Sequence, residues 1–370
     1  MSGNGHLDTY ELKIVTKAPL FIGSGKTCAK TDYVLSPNES DIIRLNQDRL
    51  FRLLAEKDLA DSYEEFILSG GTDMYRFLTE NCRIPWREVE KLAQYRVKAG
   101  DALDRRHSLK NIQIFCRDGE GNAYVPGSSL KGAIRTAYLF DRIIADEKTP
   151  VASDARERLK DCRINEAKYV NTLRYVNDKK NKTRGDMVSS ILQGVRISDS
   201  LPIDHSRMML ADKIDALPDG TDHKLNVCRE CVRPGTEILF ALTLDRSVGG
   251  DSITAESLMN AINQFTWYYM DRYLYDGDQE RFIPPERMAD VSWENAILLG
   301  GGAGFFSKTL AYPYFGDRAG EMVQDYLASV FRRHGHERDL DRYGISPHTM
   351  KYARYEGNLY PMGLCEVSIS

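Results

Sequence analysis

The sequence contains no apolar run that approaches the roughly 18 residues needed to span a bilayer as a helix. Its first residues, MSGNGHLDTYELK, carry neither the basic region nor the apolar run of a secretory signal peptide. These two absences argue against a membrane protein and a secreted protein, so we expect a cytoplasmic protein with no membrane partner.

The sequence also lacks an excess of charge of one sign. Lys and Arg number 50, Asp and Glu number 54, and the net charge is −4. This excludes a chain that is basic overall, but a local basic face is enough to bind nucleic acid. A hydrophobic content of 42% is too high for a disordered chain, and 370 residues predict two domains, with three as the alternative.

The seven cysteines are scattered and do not form a disulfide framework, which predicts reduced thiols. Cys228 and Cys231 form a single CxxC, and a zinc site there would need further ligands such as His223 with His205 or Asp222. Because no second pair accompanies this CxxC, two free thiols are the favoured interpretation. We predict no metal and no cofactor.

No catalytic motif such as GxSxG, HExxH or a carboxylate pair is present, and the seven histidines show no convincing cluster. His334 and His336, in RRHGHER, are typical of an exposed helix end. We therefore predict no catalytic residues and a protein that is not an enzyme.

The hydrophobic pattern predicts a mixed α+β fold. Tyr10–Thr16 alternates like a half-buried strand, and a helical pattern from Leu50 to Ala99 predicts a helical insert over about 47–110 rather than part of a sheet. Further strands are predicted at 111–116, 124–126, 195–203, 237–244, 295–299 and 364–369, with helices at about 128–144, 254–275 and 320–333. The order strand–helix–strand–strand–helix–strand is that of an RRM-like (ferredoxin-like) unit.

A domain boundary is predicted after the strand EILFALTL, at the Gly249-Gly250 break. It divides the chain into an N-terminal domain over 1–245, with the helical insert, and a C-terminal domain over 246–370.

The segment PGSSLKGAIR predicts a helix start that could bind a phosphate. Ser128 or Ser129 is a natural N-cap, while Lys131 and Arg135 stand one turn apart on the same face. Cations are unfavourable at a helix N-terminus and Gly132 is costly inside a helix, and a bound anion would explain both. The alternative, an ordinary capped helix with solvated cations, is about equally well supported by this segment alone.

A glycine-rich loop follows the predicted strand at 295–299. Gly300, Gly301, Gly302 and Gly304 could form an anion nest, Lys308 could meet a phosphate, and Phe305 and Phe306 could stack on bases. For this segment alone, a tightly packed loop with core phenylalanines is the favoured interpretation.

Two segments resemble a P-loop without matching it. Gly23–Thr27 ends correctly, but Leu20 occupies the position of the first glycine. In Gly302–Thr309, Ser307 replaces the glycine required before the lysine. Both mismatches argue against an ATPase or another nucleotide-binding protein.

Residues 160–186 hold eight basic side chains against four acidic ones, a local charge of +4, with Tyr169 and Tyr175 among them. Such a run is usually a solvated loop. A hairpin along RNA would use the same residue types, with cations on phosphates and rings on bases. Its candidate RNA-binding residues are Lys179, Lys180, Lys182 and Arg184.

Taken together, five landmarks resemble the RAMP superfamily of CRISPR-associated proteins, and the resemblance spans nearly the whole chain. The landmarks are PLFIGSG at 19–25, YVPGSSLKGAIRTA at 124–137, VRISDS at 195–200, ECVRPGTEILFALTL at 230–244 and LLGGGAGFFSKT at 298–309. PGSSLKGxxR and the glycine-rich loop are the most specific of them.

The resemblance implies an RRM-like RAMP fold, in this chain two RAMP-type units, that binds RNA without cutting it. It implies a subunit of a type III-A (Csm) effector complex that caps the backbone filament, holds the 3′ part of the crRNA and supports its maturation. The implied partners are crRNA, neighbouring backbone and small subunits, and host nucleases that trim the 3′ end. By the same resemblance, Ser128, Ser129, Lys131, Gly132 and Arg135 would lie along the RNA backbone, with the glycine-rich loop and Lys308 as a second contact.

One departure from the family pattern concerns cleavage. RAMP backbone subunits that cut target RNA carry an aspartate after the first strand, and Asp32 lies in that region without a clear alignment. The alternative function is a metal-independent crRNA-processing endoribonuclease, which needs a general base beside a cation. His107, upstream of PGSSLKG, is the least implausible base.

Overall fold

The computed structural model describes residues 5–102, 109–146, 166–173, 189–284 and 287–370. Strands and helices intermix along the chain in an α+β fold, which confirms the predicted class. The strands are β1 (Leu7–Thr16), β2 (Gly23–Cys28), β3 (Tyr33–Leu35), β4 (Asp41–Leu45), β5 (Ala93–Lys98), β6 (Ile112–Phe115), β7 (Val195–Ile197), β8 (Met208–Ala216), β9 (Asp222–Val232), β10 (Glu237–Asp245), β11 (Tyr275–Asp276), β12 (Gln279–Glu280), β13 (Ala296–Leu298), β14 (Met350–Tyr355), β15 (Asn358–Pro361) and β16 (Leu364–Ile369).

The α-helices of the described residues are mostly short, and π-helical turns extend two of them at Phe77–Asn81 and Met270–Leu274. They are α1 (Gln47–Glu56), α2 (Ala60–Leu68), α3 (Met74–Arg76), α4 (Trp86–Lys91), α5 (Gly127–Ile144), α6 (Ala167–Val170), α7 (Arg246–Gly249), α8 (Ala255–Tyr269), α9 (Ala311–Phe315), α10 (Ala319–Val330) and α11 (Asp339–Tyr343).

A five-stranded sheet has the order β13–β16–β1–β10–β7, and each neighbouring pair is antiparallel. On its central strand, Leu12 and Ile14 are fully buried and alternate with more exposed residues, which confirms the half-buried strand predicted at Tyr10–Thr16. The helices α5 and α8 pack on each other through Phe140 and Phe265, whose ring centroids lie 5.3 Å apart. Both rings belong to the core that includes β1.

A nine-stranded sheet has the order β2–β6–β9–β8–β5–β4–β3, with β14 paired to β8 and β15 to β14. The chain passes from the first sheet into the second directly after β1, where Leu20 bridges to Val232 at the end of β9. β2 is an edge strand whose Gly23–Thr27 segment is largely exposed. No strand pairs with the outer edge of β2 in the part of the chain that the structure describes.

The predicted helical insert is helical only as far as α4. Its last strand-forming stretch, β5, joins the nine-stranded sheet, so the prediction that the insert takes no part in a sheet is wrong. Tyr95 and Val97 alternate with charged side chains on β5, and this period-two pattern was obscured by the helical repeat before it. The helices enclose a separate small core that includes Leu50, Phe77 and Val89.

The β8–β9 hairpin was not predicted, because charged residues interrupt its apolar pattern. Asp212 is fully buried, and its carboxylate binds Lys110 Nζ at 2.7 Å and Lys224 Nζ at 2.5 Å. Of two further strand predictions, the one at 195–203 was too long, because β7 ends at Ile197. The one at 124–126 was wrong, because these residues form no strand before α5.

The boundary predicted between residues 245 and 246 stays a prediction. Strands from both sides of it share the five-stranded sheet, since β1 pairs with β10 on one edge and with β16 on the other.

Candidate nucleic-acid interface

The helix α5 begins at Gly127, with Pro126 in the N-cap position and no side-chain cap. The predicted capping role of Ser128 or Ser129 is therefore wrong, because both lie inside the first turn. A Cβ on Gly127 would stand 2.4 Å or less from the carbonyl oxygens of Ile197 and Ser198, so only glycine fits against the end of β7. This brings the landmarks PGSSLKG and VRISDS into contact.

A carboxylate already lies at this helix start. Asp199 Oδ1 accepts a hydrogen bond of 2.8 Å from the backbone N–H of Gly127, a favourable place for a negative charge. Ser128 is exposed, and a Cβ on Gly132 would meet no atom within 4 Å. The outer side of the first two turns is thus open to close approach by a ligand backbone.

Lys131 and Arg135 are less free than the sequence suggests. Lys131 Nζ donates to the carbonyls of Leu192 at 2.9 Å and Val195 at 2.6 Å. Desolvation, and then the charge of Arg196, lowers the pKa of Lys131. Arg135 forms an ion pair with Glu166. These contacts give both cations structural partners, and their RNA contacts stay a prediction.

The glycine-rich loop packs against the segment that follows β1. The backbone N–H of Gly301 donates to the carbonyl of Phe21 at 2.7 Å, and a Cβ on Gly300 would stand 2.2 Å from the same oxygen. Gly302 has a φ of 109° and would meet Met362. Gly304, with a φ of 85°, has open space beside it. The packed loop favoured from sequence is confirmed for these first three glycines.

Phe306 does not face solvent. It is buried and stacks on Tyr273 and Tyr312, with centroid distances of 4.7 and 4.4 Å, which confirms the favoured interpretation of a core phenylalanine over the alternative of stacking on bases. Phe305 is partly buried beside Tyr326.

Two cations converge on this loop. Lys308 Nζ donates to the carbonyl of Gly300 at 2.6 Å, and Arg229 Nη1 donates to that of Gly301 at 3.4 Å. The Arg229 guanidinium also lies 4.9 Å from the centre of the Phe21 ring. The pKa values of both groups are lowered, first by desolvation; the charge of Arg229 lowers the pKa of Lys308 further.

Neither cation forms an ion pair with a carboxylate among the described residues. Arg229 Nε also donates to Gln113 Oε1 at 2.8 Å. Two neighbouring cations without an ion-paired carboxylate are a favourable environment for a phosphate. Arg229 was not singled out in the sequence. The sequence indicates Arg229 only weakly, because it is one basic residue between the two cysteines of the CxxC and lies on β9, a strand that was not predicted.

The structure does not bring the two predicted RNA-binding segments together. Gly127 lies against the end of β7, whereas the glycine-rich loop follows β13, and these strands are the two edges of the five-stranded sheet. Four strand spacings of ~4.8 Å separate the edges by about 19 Å. One extended RNA strand would be needed to reach both.

The predicted basic hairpin, including Lys179, Lys180, Lys182 and Arg184, lies outside the described residues, as does His107. Within the described part of 160–186, Lys168 forms an ion pair with Asp146. The alternative general-base proposal for His107 therefore stays untested.

The other candidates for chemistry have structural roles. Asp32 Oδ2 accepts from the N–H of Ala29 at 2.9 Å and caps a short 3₁₀ turn. Cys228 and Cys231 are buried free thiols of β9, and burial raises the pKa of Cys231 to about 12. They stand three residues apart on a strand and so point to opposite faces.

In the part of the chain that the structure describes, every helix is too short or too polar to span a bilayer.

Comparison with known proteins places these landmarks in a family. The model of the RAMP superfamily matches residues 13–306. The chain is 26% identical to "CRISPR system Cms protein Csm5" of Mycobacterium tuberculosis (strain CDC 1551 / Oshkosh), over 99% of both chains. It is 26% identical to the protein of the same name from Streptococcus thermophilus, covering 82% of this chain and 80% of that one.

Two solved structures share the fold. One is a chain of the cryo-EM structure of a Csm–crRNA–target RNA ternary complex of a type III-A CRISPR-Cas system, with a TM-score of 0.62 and 16% identity over 97% of this chain and 100% of that one. The other is the crystal structure of T. onnurineus Csm5, with a TM-score of 0.58 and 18% identity over 96% and 99%.

Proposed function

The chain belongs to the RAMP superfamily, and from this membership we propose that it is a non-catalytic RNA-binding subunit of a type III-A CRISPR (Csm) effector complex. In this role it binds the 3′ part of the crRNA, caps the filament of backbone subunits and supports crRNA maturation in antiviral defence. Its partners are the crRNA and the neighbouring backbone and small subunits, with host nucleases trimming the 3′ end.

The resemblance is strongest to the fifth subunit of the Csm complex, and relatives matched along most of their length carry the name Csm5. The landmarks that suggested the family are also structurally coupled in this chain. PGSSLKG packs on VRISDS, and the glycine-rich loop packs on PLFIGSG. These contacts support the assignment of the family's RNA-binding roles to PGSSLKG and to the glycine-rich loop.

One observation carries the proposal of RNA binding. Arg229 and Lys308 both contact the glycine-rich loop, and neither has a carboxylate partner among the described residues. Phosphate is the ligand that compensates two such charges and accepts hydrogen bonds from them. The net charge of −4 of the whole chain limits the basic surface, which suits a subunit that contacts RNA over a short path and protein over the rest.

We also infer that the five-stranded sheet with α5 and α8 is an RRM-like unit. The elements β1, α5, β7, β10, α8 and β16 follow one another as strand–helix–strand–strand–helix–strand. Their strands stand in the order β16–β1–β10–β7, with β13 as an added edge strand. A second RAMP-type unit within 246–370 stays a prediction.

The test measures binding and cleavage in one sample. Purified full-length protein is mixed with 3′-end-labelled crRNA, with and without Mg²⁺, beside Lys308→Gln and the control Lys91→Gln. Lys91 is an exposed lysine of α4, remote from the loop in sequence. We expect binding without cutting, weakened by Lys308→Gln and unchanged by Lys91→Gln.

Two results would contradict the proposal. Cutting that survives repurification would favour the endoribonuclease, and would direct attention to His107 and Asp32. Equal crRNA binding by wild type and Lys308→Gln would show that Lys308 of the glycine-rich loop does not contact the RNA.

A further inference from the structure

Three imidazole rings line one pocket of about 370 Å³ beside Phe305. They belong to His334, His336 and His348; the ring centroids of His336 and His348 lie 4.8 Å apart, and those of His334 and His336 lie 6.3 Å apart. The exposed helix end predicted from the sequence is confirmed for His334, but His336 is buried, and the interpretation that the histidines do not cluster is wrong. The chain returns after α11 and brings His348 back beside His336.

A buried carboxylate holds two of these rings. Asp339 has no exposed surface; its Oδ2 accepts from His336 Nδ1 at 2.9 Å and from the Ser346 hydroxyl at 2.7 Å. Its Oδ1 accepts from His348 Nδ1 at 2.6 Å. No Lys or Arg within the described residues forms an ion pair with it. A charge buried in this way needs a compensating charge close by.

We propose that His336, Asp339 and His348 bind a divalent transition-metal ion, with Zn²⁺ as the expected metal. Their ligand atoms lie within 4.8 Å of one another, so the side chains move together by about 1.5 Å to reach the separations of a tetrahedral zinc site. Two imidazole nitrogens and a carboxylate oxygen are a donor set of zinc sites with an open position, whereas Mg²⁺ and Ca²⁺ prefer oxygen alone. The ion supplies the positive charge that the buried carboxylate lacks.

Binding is chemically simple at this site. In the metal-free protein each ring donates its Nδ1 proton to Asp339; when the metal binds, that proton moves to Nε2 and the Nδ1 lone pair coordinates the ion, so the ion replaces two hydrogen bonds. His334 lines the same pocket and is available as a fourth ligand. Lys213 and Lys351 line the same pocket, and both contact Asp215, at 2.9 and 2.7 Å, which offsets part of their charge.

The metal would act as a structural clamp. It joins the turn before α11 to the residues that lead into β14, and β14 pairs with β8 of the nine-stranded sheet. The site uses no residue of the proposed RNA contact, so its test is independent of the proposed function.

The experiment uses the full-length protein after removal of metal with a chelator. Zn²⁺ content is measured by mass spectrometry after dialysis, Co²⁺ binding by its visible d–d absorption, and stability by thermal unfolding. We expect one ion per chain, tetrahedral Co²⁺ absorption, and a higher unfolding midpoint with Zn²⁺. His348→Gln lowers the affinity by about 100-fold or more. The control His223→Gln, an exposed histidine of β9, leaves it unchanged.

Absence of stoichiometric Zn²⁺ and Co²⁺ binding by the folded wild-type protein overturns the proposal. Equal binding by folded His348→Gln and wild type overturns it as well. If His348→Gln does not fold, as judged by circular dichroism, the wild-type titration decides the question without it.

Discussion

Arg229, inside β9, and Lys308, in the 3₁₀ turn after the glycine-rich loop, reach the same turn of that loop through hydrogen bonds to the consecutive carbonyls of Gly301 and Gly300. Desolvation, and then the charge of Arg229, lowers the pKa of Lys308. A bound phosphate would offset both positive charges. The proposed RNA binding therefore predicts a phosphate contact at this pair.

The first prediction concerns the salt dependence of crRNA binding. Lys308→Gln should weaken binding about tenfold, equivalent to about 1.4 kcal/mol. The slope of log affinity against log salt should fall by about 0.7, the value for one phosphate contact on a single strand. Arg229→Lys keeps the charge and should keep the slope. Filter binding over a salt series measures both quantities, and an unchanged slope for Lys308→Gln would exclude a phosphate contact.

The second prediction separates backbone strain from close packing in the glycine-rich loop. Gly300 and Gly304 have nearly equal φ values of 83° and 85°, but only Gly300 would place a Cβ against the Phe21 carbonyl. Gly304→Ala should cost about 1–2 kcal/mol of unfolding free energy from strain alone. Gly300→Ala should cost about 1–3 kcal/mol more because its Cβ has no room. Urea unfolding of both variants checks the difference, and equal losses would refute the packing argument.

The sequence was sufficient where one pattern dominated a segment. Alternation on β1 and β10, and apolar spacing on α5 and α8, predicted these elements because each buries one face against the same core. The glycine-rich loop and PGSSLKG were recognised as constrained segments. Two of their glycines, however, make room for the protein's own carbonyls rather than for a ligand: Gly127 packs on Ile197 and Gly300 on Phe21.

The remaining features depend on contacts between distant residues, which local patterns do not encode. β8 and β9 carry charges whose partners, such as Lys110 for Asp212, are distant in sequence. The cluster of His336 and His348 forms only because α11 turns the chain back, and Asp339 was one acidic residue among many. Arg229 gains its role from Gly301, 72 residues away.

The third prediction concerns the buried ion pair between Lys110 and Asp212. Their side chains are 9% and 0% exposed, and the Nζ–Oδ1 distance is 2.7 Å. Lys110→Met removes the most buried partner and leaves the carboxylate to Lys224 at 2.5 Å and Arg354 at 4.0 Å, so it should cost about 3–5 kcal/mol of unfolding free energy. Lys13→Met, which removes an exposed pair with Glu237 at 3.8 Å, should cost less than about 1 kcal/mol. Chemical unfolding compares them, and similar losses would show that the burial of Asp212 is immaterial.

The fourth prediction is a pH dependence of stability that originates at Lys351. Desolvation lowers its pKa to about 8, although Asp215 opposes this shift. An unfolded lysine titrates near 10.4. Between these two values the unfolded chain binds more protons than the folded protein, so the contribution of Lys351 to the unfolding free energy rises with pH.

The stability of the wild type relative to Lys351→Met should therefore increase by about 2 kcal/mol from pH 7.5 to 9.5. Urea unfolding at both pH values measures this difference, and the exposed Lys26→Met serves as the control with no such change. A difference that stays constant, or falls, would mean that Asp215 holds the amine charged throughout and that desolvation does not dominate at this site.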